Sequence, residues 1–319
     1  MKNFLVTGLL FLILISCTKA QDPAPVPDTV KAGLYITSIH DIDFRAKEYA
    51  INFWLWLRYK NPAFDFEKNL EVPGAKSVAM SFVTKDTTGG KVYIQMKLQC
   101  VMKDSWKISN FPFDEQKLRL SLENSQFDSR SLIFYPDTVG NHFDPRFTLS
   151  GWKIDSCVVS TGIKQYETAF GDESALSPHT EYSNFRARLV IRRSAAGLFW
   201  KMFLGMYIAF LISFVCFYIH ADIIDARFGL GVGALFAVVG NKYIIDSALP
   251  ESTTFTLVDT LHGLTLFCIL AVIVANVVSL RLVKKNKHAK ADKFDMLFGR
   301  WLMTGYVLLN LYFIWQAAR

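Results

Sequence analysis

Several chemistries are missing from this chain of 319 residues. No cluster of His, Cys, Asp and Glu has the spacing of a metal site, no glycine-rich loop is built to cradle phosphate, and no nucleophile motif is present. With no catalytic constellation, the chain reads as a non-enzyme without a cofactor. It also lacks an internal repeat. Cysteine is scarce, at five residues. Cys17 falls in a leader-like segment, while Cys216 and Cys268 fall in apolar runs and read as inert packing residues. Cys100 and Cys157 share the middle region, where a disulfide and two buried thiols are both open. Acidic residues are outnumbered, giving a net charge of +7, yet no nucleic-acid recognition motif accompanies the excess. Nucleic acid is therefore not expected as a partner.

What is abundant is apolar and aromatic. Hydrophobic residues make up 51% of the chain, and they concentrate at the N-terminus and after residue 197. Residues 1–20 read as an export signal: Lys2, an apolar core Phe4–Ile15 too short to span a bilayer, and Thr18-Lys19-Ala20 as cleavage site. Leu14-Ile15-Ser16-Cys17 also resembles a lipobox, which would place a lipid on Cys17. Residues 21–31, with alternate prolines, read as a short extended lead-in.

Residues 32–193 show short strands punctuated by turns. Ala50–Tyr59, Lys91–Met102, Lys117–Leu122 and Ala187–Ile191 carry strand-favouring or alternating residues. Asn61-Pro62, Pro73-Gly74, Gly89-Gly90 and Pro136-Asp137 mark turns. The predicted fold class is an all-β extracytoplasmic sandwich followed by an all-α four-helix transmembrane region, residues 194–319. The apolar runs are Met202–Ile219, Phe228–Ile245, Phe255–Leu282 and Leu297–Trp315. Between the third and fourth lie Arg281, Lys284, Lys285, Lys287, Lys290 and Lys293, the mark of a cytoplasmic loop. That places the sandwich and the C-terminus outside, in a bacterial inner membrane, with lipid as a partner. The second run is too polar and glycine-rich to face lipid, so it is expected to be buried or to line water.

Phe111-Pro112-Phe113-Asp114-Glu115-Gln116 lies between two strands, with Pro112 fixing a tight bend. This segment resembles the one at the base of the extracellular sandwich in the Cys-loop receptor superfamily of pentameric ligand-gated ion channels. Other landmarks follow in the family's order: Gly151-Trp152, Arg192-Arg193 before the first span, Leu249-Pro250 after the second, and Phe298-Gly299-Arg300-Trp301 opening the last. The resemblance runs from about Leu34 to the C-terminus and is closest to prokaryotic members. The family's two bracketing cysteines are replaced by Asp104 and Leu118. Gly205 stands where a mid-helix proline is expected and still permits a kink. No tryptophan lies between Asp65 and Trp106, so the family's Trp-x-Pro segment is absent and a standard neurotransmitter pocket is not expected.

The resemblance implies a homopentamer that binds a small-molecule or proton agonist and passes ions. Aligned through Arg227 and Leu249-Pro250, the second span presents Gly229, Gly233, Phe236, Gly240, Tyr243 and Ile244 to the pore, at helical spacing along one face. Phe236 and Tyr243 would form the constrictions, with Phe236 able to gate by dewetting. From the span alone, Gly229 and Gly233 read first as a helix-packing face, and the flanking landmarks reverse that order. Asp225 and Asp246 would make two acidic rings that favour cations over the anion preference of helix N-termini. Arg193, Asp114 and Asp43 would form a charged cluster, with Pro112 and Pro250 in the two loops that meet there. The cluster either transmits movement to the Leu249–Thr253 loop or is a static ion pair. The Gly162–Tyr182 segment resembles the family's capping loop and offers Tyr166, Phe170 and Tyr182 as a cage for an amine, beside Glu167, Asp172, Glu173 and His179. Proton sensing by His179 and nearby acids is the other reading of that loop, and a solvated hairpin is the bland one. Phe127, Trp56 and Arg58 are candidate contacts from a neighbouring strand or loop.

The leader's two fates separate by labelling with a fatty-acid analogue. Incorporation that vanishes in Cys17→Ser marks a lipoprotein, and no incorporation marks plain cleavage.

Overall fold

A computed structural model describes residues 26–171, 178–251 and 253–319. The leader, with Cys17, lies outside the described residues. In chain order the strands are β1 (Asp28–Asp43), β2 (Glu48–Tyr59), β3 (Leu70–Glu71), β4 (Ala75–Thr88), β5 (Lys91–Lys103), β6 (Glu115–Asn124), β7 (Leu132–Pro136), β8 (Trp152–Tyr166) and β9 (Thr180–Arg193). They form two sheets, ordered β4-β5-β2-β1-β7 and β3-β6-β9-β8.

Period-two alternation explains the sandwich. Tyr49, Ile51, Phe53, Leu55, Leu57 and Tyr59 on β2 are buried, as are Val92, Ile94, Met96, Leu98, Cys100 and Met102 on β5. Leu118, Leu120 and Leu122 of β6, with Phe185, Ala187, Leu189 and Ile191 of β9, close the core from the other sheet. The alternate positions face outward and are mostly polar or aromatic, with Ala50, Val101 and Val190 as aliphatic exceptions. Leu55 and Phe53 are fully buried, so either truncated to alanine would cost about 2–5 kcal/mol. Cys100 and Cys157 are free thiols, and burial pushes them up to about 12 and about 11. Of the two alternatives, the structure holds two thiols.

β1 begins at Asp28, inside the segment read as a lead-in, because residues 28–32 pair in parallel with β7. Strand partners supply what local sequence does not. β4 was not legible either: it is an edge strand whose residues are nearly all exposed, so it shows little alternation.

Four long helices follow: α1 (Ala195–Phe214), α2 (Ile224–Ala248), α3 (Leu257–Lys284) and α4 (His288–Ala318). Each belongs to a segment long and apolar enough to cross a membrane. α1 is helical without a break through Gly205 and tightens to a 3-10 turn only at Val215–Tyr218. Gly205 lets the Asn241 side chain approach, within 3.5 Å of where a Cβ would sit. α3 opens with a capping box, in which Thr256 and Asp259 exchange hydrogen bonds at the N-terminus. The expected basic loop is mostly helix: only Lys285 and Lys287 lie in the tight turn, while Arg281 and Lys284 end α3 and Lys290 and Lys293 fall in the first turns of α4.

Gly33 is opposite Trp56 in the β1/β2 ladder, and a Cβ at Gly33 would fall on the indole ring. The absence of a side chain lets Trp56 lie flat and donate its Nε1–H to Asp137 at 3.1 Å, while Lys31 approaches the same carboxylate at 3.2 Å. Burial raises the Asp137 carboxyl, but Trp56 and Lys31 outweigh it and hold it below the usual aspartate value. Gly33→Ala should displace Trp56, seen as a shifted tryptophan emission and a lower melting temperature. A depressed carboxyl stabilises the fold above the unfolded-state value of about 4 and loses that contribution as pH falls through the lowered value. Asp137→Asn should therefore melt lower than the parent at pH 7, with the gap closing in acid.

Candidate pore, coupling and ligand sites

α2 has two unlike faces. Arg227, Gly231, Ala234, Val238 and Ile245 are buried against the other helices. Two positions further along from several of these, about 200° around a helix, Gly229, Gly233, Phe236, Gly240 and Tyr243 line the opposite side, with Ile244 beside them. All are exposed: Phe236 at 68%, Tyr243 at 76% and Ile244 at 69%. The glycines distinguish packing from lining. A Cβ at Gly231 would come within 2.9 Å of Ile273, so Gly231 is the packing glycine. At Gly229, Gly233 and Gly240 no atom lies within 4 Å of that position. Within one chain the six candidate pore residues thus form a stripe that nothing covers.

The two mouths differ. Asp225 is exposed in the first turn of α2 and has no ion-pair partner among the described residues. Asp246 is not the free carboxylate expected for an outer acidic ring. Lys242, one turn earlier, reaches it at 2.6 Å and also reaches Asp259 of α3 at 2.8 Å. Spacing of four residues on a helix brings Lys242 and Asp246 together, and the capping box holds Asp259 in place. One lysine therefore offsets half of the acidic charge at this end. Deeper in the bundle His262, fully buried, meets the Val258 carbonyl at 2.9 Å and Asn241 at 3.0 Å, tying α3 to α2.

Arg227 is more than a landmark of helix start. It pairs with Asp295 of α4 at 2.5 Å and donates to the Ile219 carbonyl at 2.9 Å, and Ser279 of α3 donates to the same Asp295 oxygen. Both charges are buried. A buried arginine needs such partners, and removing one would strand the other. The signal for Asp295 lay in sequence only as an acid near the start of the fourth apolar run.

The sandwich and the helices meet at the Phe111–Asp114 segment, whose Phe111–Pro112 bond is cis. Arg193, the last residue of β9, grips Asp114 with two hydrogen bonds, at 2.6 and 3.2 Å. Asp114 is 3% exposed and takes a further bond from Gln116 at 2.7 Å. Asp43 is not the second acid of this cluster. Its side chain accepts from the backbone of Ala46 in the β1–β2 turn, while its carbonyl accepts from the Trp106 indole. The guanidinium is completed by rings instead: Trp152 at 4.0 Å, Phe44 at 4.8 Å and Phe111 at 4.8 Å. Arginine stacks on aromatic faces readily, being planar and weakly hydrated. Sequence reasoning missed this box because an arginine beside a membrane is matched first to acids. Phe44, next to Asp43, and Trp152 were the available signals. The same segment reaches the helices through Phe113 against Phe199 of α1, and just before it the Ser109 carbonyl accepts from the Leu257 amide of α3 at 2.8 Å. Pro250 is buried at the end of α2, and Leu249 lies near Arg193 across a small cleft. Ser252 of the Leu249–Thr253 loop lies outside the described residues.

Tyr166, Phe170 and Tyr182 come together at the end of the β8/β9 hairpin, edge to face at 5.5, 5.8 and 6.3 Å between centroids. Tyr166 donates to buried Glu123 at 2.8 Å, and Lys164 lies over the Tyr166 ring at 4.4 Å. Burial, with Glu123 nearby, holds both tyrosine hydroxyls above their usual value. Asp172 and Glu173 lie outside the described residues. The other three candidates are elsewhere in the chain. Phe127 packs on Phe64 at 4.8 Å, against the sandwich core. Trp56 and Arg58 are on the outward face of β2 in the other sheet, Arg58 over Tyr93 at 5.2 Å. A single chain does not bring Trp56 and Arg58 to the aromatic trio, whereas the loop that carries Phe127 is held beside it, the Ser129 amide donating to the Glu181 carbonyl at 2.7 Å.

No protein-family model matches the chain. Over 261 residues it is 22% identical to the gamma-aminobutyric acid receptor subunit beta of Caenorhabditis elegans, covering 73% of this chain and 44% of that one. Over 248 residues it is 22% identical to pH-sensitive chloride channel 2 of Drosophila melanogaster, covering 69% and 47%. Over 260 residues it is 22% identical to the proton-gated ion channel of Gloeobacter violaceus, covering 73% and 68%. All three relatives are members of the Cys-loop pentameric ligand-gated channel superfamily, the one that the chain's motifs resemble. Sandwich and four apolar helices are the architecture that the resemblance implied, and the superfamily is one of ion channels and not of enzymes. The four helices, together with the similarity to these channels, support a membrane protein with an extracellular β domain. The chain spans less than half the length of the first two relatives.

Replacing Arg193 by alanine would leave Asp114 buried without its counter-charge, a change worth about 3–5 kcal/mol. Arg193→Lys keeps the charge but loses the two-pronged grip and the flat stacking face. Melting temperatures of the purified membrane protein should order parent, Arg193→Lys and Arg193→Ala from highest to lowest.

Proposed function

We propose that the chain is one subunit of a homopentameric, ligand- or proton-gated, cation-selective channel of the bacterial inner membrane, with its C-terminus outside. The observation that carries this is the uncovered stripe on α2. A helix that buries one face in its own bundle and leaves Gly229, Gly233, Phe236, Gly240 and Tyr243 bare is suited to line a shared axis. Five copies would then alternate wide glycine zones with rings of Phe236 and Tyr243, and an apolar ring gates by shedding water.

Selectivity is assigned to Asp225 at the inner mouth, where five unpaired carboxylates would outweigh the half-charges of five helix N-termini. Asp246 contributes less, because Lys242 offsets it. For the agonist, the trio Tyr166, Phe170 and Tyr182 supports a small amine, since it already holds an ammonium: Lys164 over Tyr166. Protons are the second agonist class, and two of the relatives carry pH or proton sensitivity in their names. Movement at the hairpin would reach α2 and α3 through Arg193, Asp114 and the Ser109–Leu257 hydrogen bond.

The test is current from purified protein in planar bilayers, with pH steps and a panel of small amines. The expected result is a gated cation current, with Phe236→Ala shifting gating and Asp225→Asn moving the reversal potential toward that of chloride. Silence from protein shown to be pentameric would replace this reading with a non-conducting membrane-anchored sensor. An anion current unaffected by Asp225→Asn would overturn the selectivity assignment.

A further inference from the structure

A groove of about 770 Å³ opens on the sandwich, beside the aromatic trio and distinct from it. Its walls come from the end of β5, the β1–β2 turn and the outward faces of β6, β8 and β9. Six cationic side chains line it (Lys47, Lys103, Arg119, Lys164, Arg186 and Arg188), against one carboxylate, Asp104. Lys103 is spoken for by Glu48 and Arg119 by Asp104. Lys47, Arg186 and Arg188 have no carboxylate partner among the described residues, and Lys164 has only the Tyr166 ring.

This arrangement costs the fold stability. Arg119 and Arg188 are directly opposite in the β6/β9 ladder, and like charges in facing positions of a sheet repel. Arg186 is placed with care: Gly162 on β8 has no side chain, so the guanidinium lies on the backbone there, 3.1 Å from where a Cβ would be, and donates to the Ile163 carbonyl at 3.4 Å. A second, independent feature is the pair of stranded acceptors. Asn184 lines the groove and is 1% exposed, yet its Oδ1 has no donor, its amide nitrogen being used by Glu123. Asp104 Oδ2 is likewise buried without a donor. Buried acceptors left unpaired in a folded protein call for an occupant that donates to them.

We propose that this groove binds a small hydroxylated polyanion, such as a sugar phosphate or a hydroxy-polycarboxylate. Its anionic groups meet Arg186, Arg188 and the lysines, which suit phosphate and carboxylate oxygens. Its hydroxyls donate to Asn184 and Asp104. The volume suits a molecule of this size, and a cleft lined by one sign of charge concentrates ions of the other. The site is separate from the agonist trio but adjoins it through Lys164, so its occupant would bear on whether that lysine stays over Tyr166.

The test is calorimetric titration of the full-length protein, in detergent at low salt, with fructose 1,6-bisphosphate, citrate and pyrophosphate. The first two should bind, more weakly as salt rises, and pyrophosphate should bind less well for want of hydroxyls. Arg186→Gln with Arg188→Gln, both at the groove surface, should weaken binding by about tenfold or more without lowering the melting temperature. Asn184→Ala should bring the hydroxylated ligands down to pyrophosphate. The proposal is overturned by no binding of any of the three to intact pentamer, by affinities the arginine substitutions leave unchanged, or by pyrophosphate equalling the others with Asn184→Ala without effect.

Discussion

The contact on which the rest depends is the grip of Arg193 on Asp114. β9 ends at Arg193 and α1 begins two residues later, so this pair stands where the chain passes from a water-soluble sheet to an apolar helix. A charged residue at such a place is expensive unless its hydrogen bonds and its surroundings are both arranged. Asp114 supplies the hydrogen bonds, and Phe44, Phe111 and Trp152 supply faces that accept a guanidinium while excluding water. The aromatic box also explains why the Phe111–Asp114 segment is so rich in rings. Its rings face two ways, Phe111 toward Arg193 and Phe113 toward Phe199 of α1. One loop therefore holds sandwich and bundle in register.

The helical half follows a similar rule of paired charge. Each charged side chain held inside it is answered from another helix: Arg227 of α2 by Asp295 of α4, and Lys242 of α2 by Asp259 of α3. α2 is thus anchored at both ends to its neighbours by ion pairs, and between them by His262 and by Gly231 against Ile273. These contacts all use one side of the helix. The other side keeps glycines and exposed aromatic rings with no partner in the chain, and that asymmetry is the basis for assigning it to a pore.

The sandwich and the four helices were legible because periodicity reports them directly: period two in β2, β5, β6 and β9, and long apolar runs in the helices. Buried strands announce themselves, but β4, exposed along nearly all its length, does not. The exposed stripe of α2 was also legible, because the resemblance set the register of the span and helical spacing then fixed which residues share a face. The ligand residues were less so. Tyr166, Phe170 and Tyr182 are close in a hairpin, and sequence nearness made them easy to group. Trp56, Arg58 and Phe127 came from separate elements, and only the sheet assignments show that Trp56 and Arg58 do not meet the trio within one chain.

The sequence by itself determined the order of a β domain and four membrane-competent helices, the identity of the pairing Arg193 and Asp114, and the face of α2 that carries Phe236. The first is set by periodicity and apolar length, and the other two by motifs that resemble those of the superfamily. Only the tertiary structure decided who satisfies whom. Asp43 turned to its own loop and left Arg193 to aromatic rings. Lys242 claimed Asp246 as well as Asp259, and Arg119 and Arg188 were set face to face across two strands far apart in sequence. The physical reason is that charge and hydrogen bonding are settled between elements, over a few ångströms that no linear spacing records.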